Sequence, residues 1–227
     1  MAASGYDPAA AVELQEIFLQ QSQNRRSNAL SQLFASHPPS KERINANKLT
    51  AANMPKGGMR GKAEYHNATT QLYRDNQAYQ NLKDSMLAYS AKNYQQALRL
   101  SENAIALQPR ENLFWEMKGQ TLSKQERFKD SIPAFDRAVN ANPQFYRPLA
   151  LRGLAYKSLG QWQQAESSLL ASQQLLPTQT ATYHLGELAL RKGDRNSASA
   201  YFNKARQGGG ELGQAAQRQL ENMQYGY

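Results

Sequence analysis

Three histidines are the candidates for metal or acid–base chemistry, and their spacing argues against both. His37, His66 and His184 stand apart, and none has a second histidine one helical turn on, as the H-E-x-x-H pair that holds zinc requires. His66 lies in HNATT and His184 in HLGEL. No Ser, His and Asp fall into a recognisable nucleophile motif. Cysteine is absent, which removes disulfides, thiolate metal sites and thiol nucleophiles. What remains is the chemistry of surfaces: cations and aromatics along helices that must present them to something else.

The composition is that of a folded chain. Of 227 residues, 40% are hydrophobic and 20% charged, outside the range of disordered segments. No apolar run approaches the roughly 18 residues that span a bilayer. The opening MAASGYDPAAAV has no basic stretch followed by an apolar block, so it does not read as a signal peptide. The net charge of +9 is spread: residues 1–62 hold eight Lys/Arg against four Asp/Glu, and the rest nineteen against fourteen. Dispersed charge without interleaved aromatics leads us to expect no nucleic-acid partner.

Periodicity is the strongest signal. Pro109, Pro143 and Pro177 are spaced by 34 and again by 34. Gly119 and Gly153 keep that interval, as do Phe128 with Trp162 and Ala104 with Ala138, Ser172 taking the third place. Each unit reads as two helices. Trp115 and Gly119 sit one turn apart on the first, Phe128, Phe135 and Ala138 mark the second, and proline stops it because it lacks an N–H and clashes with the preceding turn. A looser unit over 78–111 shows Tyr94, Ala97, Ala104 and Pro109 in phase. A fourth, with Gly186, Gly193, Ala198, Phe202 and Ala205, runs one residue out of register. ELGQAAQRQLENM then reads as a polar-faced capping helix. The fold expected is all-α, a solenoid of helical hairpins.

The Trp-x-x-x-Gly start and Ala-x-x-x-Phe-x-x-Ala tail resemble tetratricopeptide repeats over roughly residues 78–208. Two departures stand out: Leu149 at the Trp position of the third unit, and Lys118 and Arg152 where leucine usually precedes the glycine. Both cations can lay aliphatic stems on apolar surface. The resemblance implies an arc whose first helices line a groove that takes protein or peptide clients. By repeat position, Tyr79, Leu82, Met86 and Tyr89 face it from the first unit, then Glu116, Gln120 and Lys124. Arg147, Leu154 and Lys157 follow, then Tyr183, Glu187 and Arg191. The Lys/Asn set by which some relatives grip a terminal carboxylate is missing, and positive charge on the arc would favour acidic clients.

Residues 1–62 do not fit the repeat, so the organisation expected is a front segment, 1–62, and a repeat domain, 63–227. Asp7-Pro8 starts a helix, with Ala10, Leu14, Ile17 and Phe18 as its apolar stripe to about residue 22. NRRSNALSQLFASHPPS reads as a broken connection anchored by Leu30, Leu33 and Phe34. Ser40 caps a helix to about Leu49, AANMPKGGMRGK reads as a mobile loop, and a long helix runs from about Ala63 to Ala91. GYDPAAAVELQEIF and FASHPPSKERI resemble the carboxyl part of the catalytic domain of HtpX-like zinc metallopeptidases, the family of the CAAX prenyl proteases. BepA-like periplasmic members of that family carry a tetratricopeptide domain in the same order. The resemblance implies that this chain is the carboxyl part of a longer periplasmic enzyme. Zinc would belong to that enzyme, and no cofactor to this chain. The loop of His37 would lie over the cleft, where its imidazole could reach the metal, and Arg43 could pair with a substrate carboxylate or oxyanion. Without H-E-x-x-H this chain is expected not to be an enzyme by itself. The resemblance also implies that missing helices cover Leu14 and Phe18, and it is compatible with peripheral contact with outer-membrane assembly machinery. The alternative is a free-standing tetratricopeptide adaptor, with the first sixty residues as a helical cap.

Overall fold

The computed structural model describes residues 2–23 and 40–225. Among them every regular element is helical, and the chain divides into two units, residues 1–70 and 71–227. The division falls inside a long helix rather than ahead of it.

The front unit holds a 3-10 turn (Ala2–Ser4), α1 (Ala9–Gln23), α2 (Lys41–Ala52) and the start of α3 (Lys62–Ser90). Asp7 starts α1, its Oδ1 accepting from the Ala9 N–H at 2.9 Å. Ser40 caps α2 by accepting from the Arg43 N–H at 3.2 Å. The two helices are pinned by Asn47 to Gln15 at 2.6 Å and Lys48 to Glu16 at 2.7 Å. Val12 and Ile44 are the buried hydrophobic side chains described in this unit, while Leu14, Ile17 and Leu49 stand exposed. Leu30, Leu33, Phe34 and His37 lie outside the described residues.

Residues 51–62, expected as a mobile loop, instead end α2, begin α3 and between the two are fastened to the GYDP turn. The Met59 N–H donates to the Gly5 carbonyl at 2.9 Å, and the Asp7 N–H to the Met59 carbonyl at 3.2 Å. Gly58 permits this pairing, because a Cβ there would stand 2.7 Å from the Asp7 nitrogen. Arg60 completes it, bonding Asp7 at 2.6 Å and Glu13 at 2.8 Å. Gly58 and Arg60, which suggested freedom, serve close approach and charge pairing.

The second unit is a helical-hairpin solenoid: the end of α3 with α4 (Tyr94–Leu107), then α5 (Asn112–Lys124) with α6 (Phe128–Ala141), α7 (Tyr146–Ser158) with α8 (Trp162–Leu175), and α9 (Gln179–Arg191) with α10 (Arg195–Gln207). A last helix, α11 (Gly210–Tyr225), packs on α10 through Gly213 and Ala216. Every hairpin turns the same way. Lys92, Glu126, Gly160 and Gly193 each have positive φ between the two helices, from 59° to 82°. The N–H of the residue after it bonds back to the first helix: Asn93 to Ala88, Arg127 to Leu122, Gln161 to Tyr156 and Asp194 to Ala189, all at 2.9–3.0 Å. This is the Schellman closure of a helix C-terminus.

Inside each hairpin a small residue of the first helix faces a side chain of the second. A Cβ on Gly119 would lie 2.5 Å from the Phe135 ring, on Gly153 2.7 Å from Leu169, and on Gly186 2.7 Å from the Phe202 ring. At the corresponding positions the first hairpin has two serines, Ser85 and Ser101, both fully buried. Ser85 Oγ donates to the Ala97 carbonyl across the crossing at 2.7 Å.

Lys118 and Arg152, the departures from the usual leucine, reach the preceding hairpin's second helix. Lys118 pairs with Glu102 at 2.8 Å and Arg152 with Asp136 at 2.7 Å, in each case 16 residues earlier. Their charges latch one repeat to the next.

Helix propensity alone would make Gly119→Ala stabilising by about 1 kcal/mol. The buried Phe135 ring reverses the sign, and we expect a loss of about 1–3 kcal/mol. In a Phe135→Leu background, which removes the nearest ring atoms, the same substitution costs less. Urea unfolding of the four proteins in this double-mutant cycle measures the difference.

Candidate functional site

The first helices of successive hairpins share one face, and two adjoining clefts run along it. The first, of about 290 Å³, is walled by Leu82, Met86 and Tyr89 of α3 and by Leu113, Glu116, Met117 and Gln120 of α5, with Arg147 of α7 at its rim. The second, of about 410 Å³, takes in Lys124 and Phe128 with Leu151 and Leu154 of α7. Tyr89 and Gln120 line both, so the clefts form one groove across the first three hairpins. Eight of the residues expected on this face from repeat position meet there. Leu113, Met117 and Leu151 line it as well, and repeat position does not single them out.

Glu116 is the groove's unusual member. Its side chain is 1% exposed, although its type and place suggested a solvated carboxylate. Its Oε1 accepts from Arg147 Nε and Nη2 and from Gln120 Nε2, each at 2.5 Å. Its Oε2 is buried without a hydrogen-bond partner. Burial pushes the Glu116 carboxyl above the ordinary range, and Arg147 and Gln120 only partly offset this. Arg147 itself is half exposed and lies 5.6 Å from the Phe145 ring centroid.

Further along the solenoid, Lys157 of α7 donates to Glu187 Oε2 of α9, and His184 Nδ1 sits 2.6 Å from the same oxygen. His184 has no metal-ligand spacing in the sequence; its place three residues before Glu187 is what brings it into this cluster. Burial pushes the Glu187 carboxyl up, but the bonds from His184 and Lys157 outweigh it and hold the group below its usual 4.5. Arg147 and Lys157, which suggested a positive groove, are thus neutralised by carboxylates of neighbouring repeats.

Three other groove candidates have different places. Tyr79 donates its hydroxyl to Glu111 at 2.6 Å and packs edge-on against Phe114, which with burial pushes its pKa up to about 12. Arg191 lies over the Trp162 ring, 4.0 Å from its centroid. Tyr183 is a core residue rather than a groove residue. It packs on Phe202 in the cluster closed by Ala216, Leu212 and Leu220 of α11, because the capping helix covers this repeat position. In the front unit Arg43 is exposed on α2, and the candidate metal ligand His37 lies outside the described residues. Among the described residues no cluster of three or more His, Asp or Glu is placed to hold a metal ion, and no helix is long and apolar enough to cross a membrane.

Two family models described as tetratricopeptide repeat match residues 83–145 and 180–205. The fold is a tetratricopeptide solenoid. Solved structures agree at the level of the fold. The structure of pilF of Pseudomonas aeruginosa is 17% identical with a TM-score of 0.60, covering 67% of this chain and 69% of that one. MamA from Desulfovibrio magneticus RS-1, from residue 41 to its end, is 20% identical with a TM-score of 0.54, covering 86% and 93%. The first tetratricopeptide domain of Spaghetti (RPAP3), solved bound to the HSP90 peptide SRMEEVD, is 15% identical with a TM-score of 0.52, covering 52% and 95%.

A carboxyl group whose folded pKa is depressed stabilises the fold above its unfolded value and loses that contribution as pH falls through the folded one. Glu187→Gln should therefore cost about 1–2 kcal/mol near neutrality. The gap from the parent should close as pH drops below about 4.5 and on through the lowered folded value. Urea unfolding of both proteins at neutral and acid pH measures it.

Proposed function

We propose that the solenoid docks an extended segment of another protein along the groove of its first helices. The observation that carries this reading is the pair of adjoining clefts sharing Tyr89 and Gln120. They offer apolar surface from Met86, Leu113, Met117, Leu151 and Leu154 to an extended segment, and in the first of them the charges of Glu116 and Arg147 are already paired. With Arg147 and Lys157 neutralised, binding rests on the walls more than on attraction for acidic clients, and electrostatics fixes register. Similar folds include one solved with a peptide bound, which supports the reading by analogy. The solenoid supplies no catalytic constellation, so its contribution to any chemistry is tethering, which raises the local concentration of a client.

The context we propose is the carboxyl part of a periplasmic HtpX-like zinc metallopeptidase acting in envelope protein quality control, on the strength of the GYDP and S-x-H-P strings. The fastened GYDP turn supports this in one respect: Asp7, Arg60 and Glu13 make it a built element rather than a chance string. His37 and Arg43 would then belong to the catalytic cleft of that enzyme. The second reading is a free-standing adaptor, for which the solenoid needs no enzyme.

Docking in the groove predicts that a photoreactive residue at Gln120 or Leu154 crosslinks to the same client, whereas one at Arg99 or Lys129, on second helices, does not. Crosslinking from second-helix sites alone would move the interface to the other face. The mass and zinc content of the native protein decide the context. A metal-bearing species near twice 25.5 kDa supports the metallopeptidase, and a metal-free species of this size supports the adaptor.

A further inference from the structure

The first cleft holds an unmet hydrogen-bond requirement. Glu116 Oε2 is buried and unpartnered, while Oε1 takes three donors. A buried acceptor without a donor costs far more than an exposed one, and here it belongs to a residue of a cleft whose apolar walls are Leu82, Met86, Leu113 and Met117, with Tyr89, Ser90 and Gln120 beside them. Met86, in those walls, is 53% exposed. Thioether chains rearrange easily around an incoming group.

These features restrict what can fill the cleft. At about 290 Å³ it is at the small end of ligand pockets, the scale of one large side chain. The apolar walls need an apolar body, which a serine or threonine does not bring. The carboxylate needs a donor, which phenylalanine and leucine lack. Its charge is already balanced by Arg147, so a lysine would place a second cation beside the guanidinium, and a client carboxylate would face Glu116. A neutral aromatic with a polar hydrogen satisfies every condition.

We propose that this cleft is a socket for a tyrosine or tryptophan side chain of the docked segment, whose O–H or N–H donates to Glu116 Oε2 while its ring lies between Met86 and Met117. The inference rests on the groove being the docking face and adds the residue class it selects. Glu116 is then a specificity residue held in place by Arg147 and Gln120.

The test uses the full chain with isotope-labelled methionine methyls, titrated with N-acetyl-tyrosinamide and N-acetyl-phenylalaninamide. The expected result is saturable shifts of the Met86 and Met117 methyls, with the tyrosine amide binding about tenfold tighter, the worth of one hydrogen bond to a charged acceptor. Glu116→Gln keeps an oxygen for Arg147 but removes the charged acceptor, so it should cut the tyrosine preference to the few-fold worth of a neutral hydrogen bond, because the phenol oxygen can still accept from the new N–H. If that variant does not fold, Met86→Ala, a change at a half-exposed position, serves instead: it should weaken both amides and preserve their ratio. Equal affinities in the parent protein, shifts confined to Met54, Met59 or Met223, no shift up to the solubility limit, or preference for N-acetyl-lysinamide would each overturn the socket. Crosslinking at Gln120 and Leu154 is independent of it, so a docking groove without this socket remains distinguishable from no docking groove.

Discussion

The crossing of the two helices within each hairpin is the constraint from which the rest of the solenoid follows. Gly119, Gly153 and Gly186 leave no room for a Cβ because Phe135, Leu169 and Phe202 occupy that space. Close approach of this kind buries the opposing side chain completely and fixes the distance and rotation of the first helix relative to the second. That rotation decides which positions of the first helix point away from the crossing. Leu82, Met86 and Tyr89, Glu116 and Gln120, and Arg147 and Leu154 recur on one face for this reason. The groove is a by-product of the crossing, repeated. The first hairpin carries the buried serines Ser85 and Ser101 at the corresponding positions, and there a hydrogen bond from Ser85 to the Ala97 carbonyl spans the crossing.

Successive hairpins are joined by charge as well as by apolar packing. Lys118–Glu102 and Arg152–Asp136 tie a first helix to the preceding second helix, while Arg147–Glu116 and Lys157–Glu187 tie first helices to each other along the groove. With Glu116 buried, breaking Arg147–Glu116 would strand a charge, but the pairs that keep solvent contact, Lys118–Glu102 and Arg152–Asp136, contribute little individually. Their larger effect is geometric, since each restrains the rotation of one repeat on the next and hence the width of the groove. The neutralised groove also explains how a chain of net charge +9 can present a docking face that does not depend on acidic clients.

The hairpins and their order were legible because glycine, proline and aromatic side chains have few physical substitutes at their positions. Proline marked the ends of α4, α6 and α8, two residues past the last helical residue, and the groove register followed from the same columns. The hairpin turn was only half legible. Gly160 and Gly193 were visible, but Lys92 and Glu126 adopt the same left-handed backbone, at a cost that the Schellman bonds offset, and neither type announces it. The role of Tyr183 depended on α11, whose docking over α10 is tertiary. The 16-residue interval between Lys118 and Glu102 and between Arg152 and Asp136 was present in the sequence as a signal but is not a helical one, since it crosses between hairpins. The binding of residues 53–61 to the GYDP turn escaped because three glycines look alike whether they permit motion or close contact.

Glu116 was the least legible residue and is the most informative. Local pattern gives a glutamate on an amphipathic helix a solvated place, and only the approach of α7 with Arg147 puts it under cover. Nothing in stability requires a carboxylate there, because a buried ion pair seldom improves on apolar packing. An apolar residue would fill the site without leaving Oε2 unpaired. The groove leaves Glu116 Oε2 unpaired, and Ser123 Oγ of the second cleft with it, while Glu187 is satisfied by both Lys157 and His184; packing does not explain that difference between the two carboxylates. Recognition does explain it: an acceptor that stays unpaired in the free protein binds a donor more tightly, because part of the desolvation has already been met in folding.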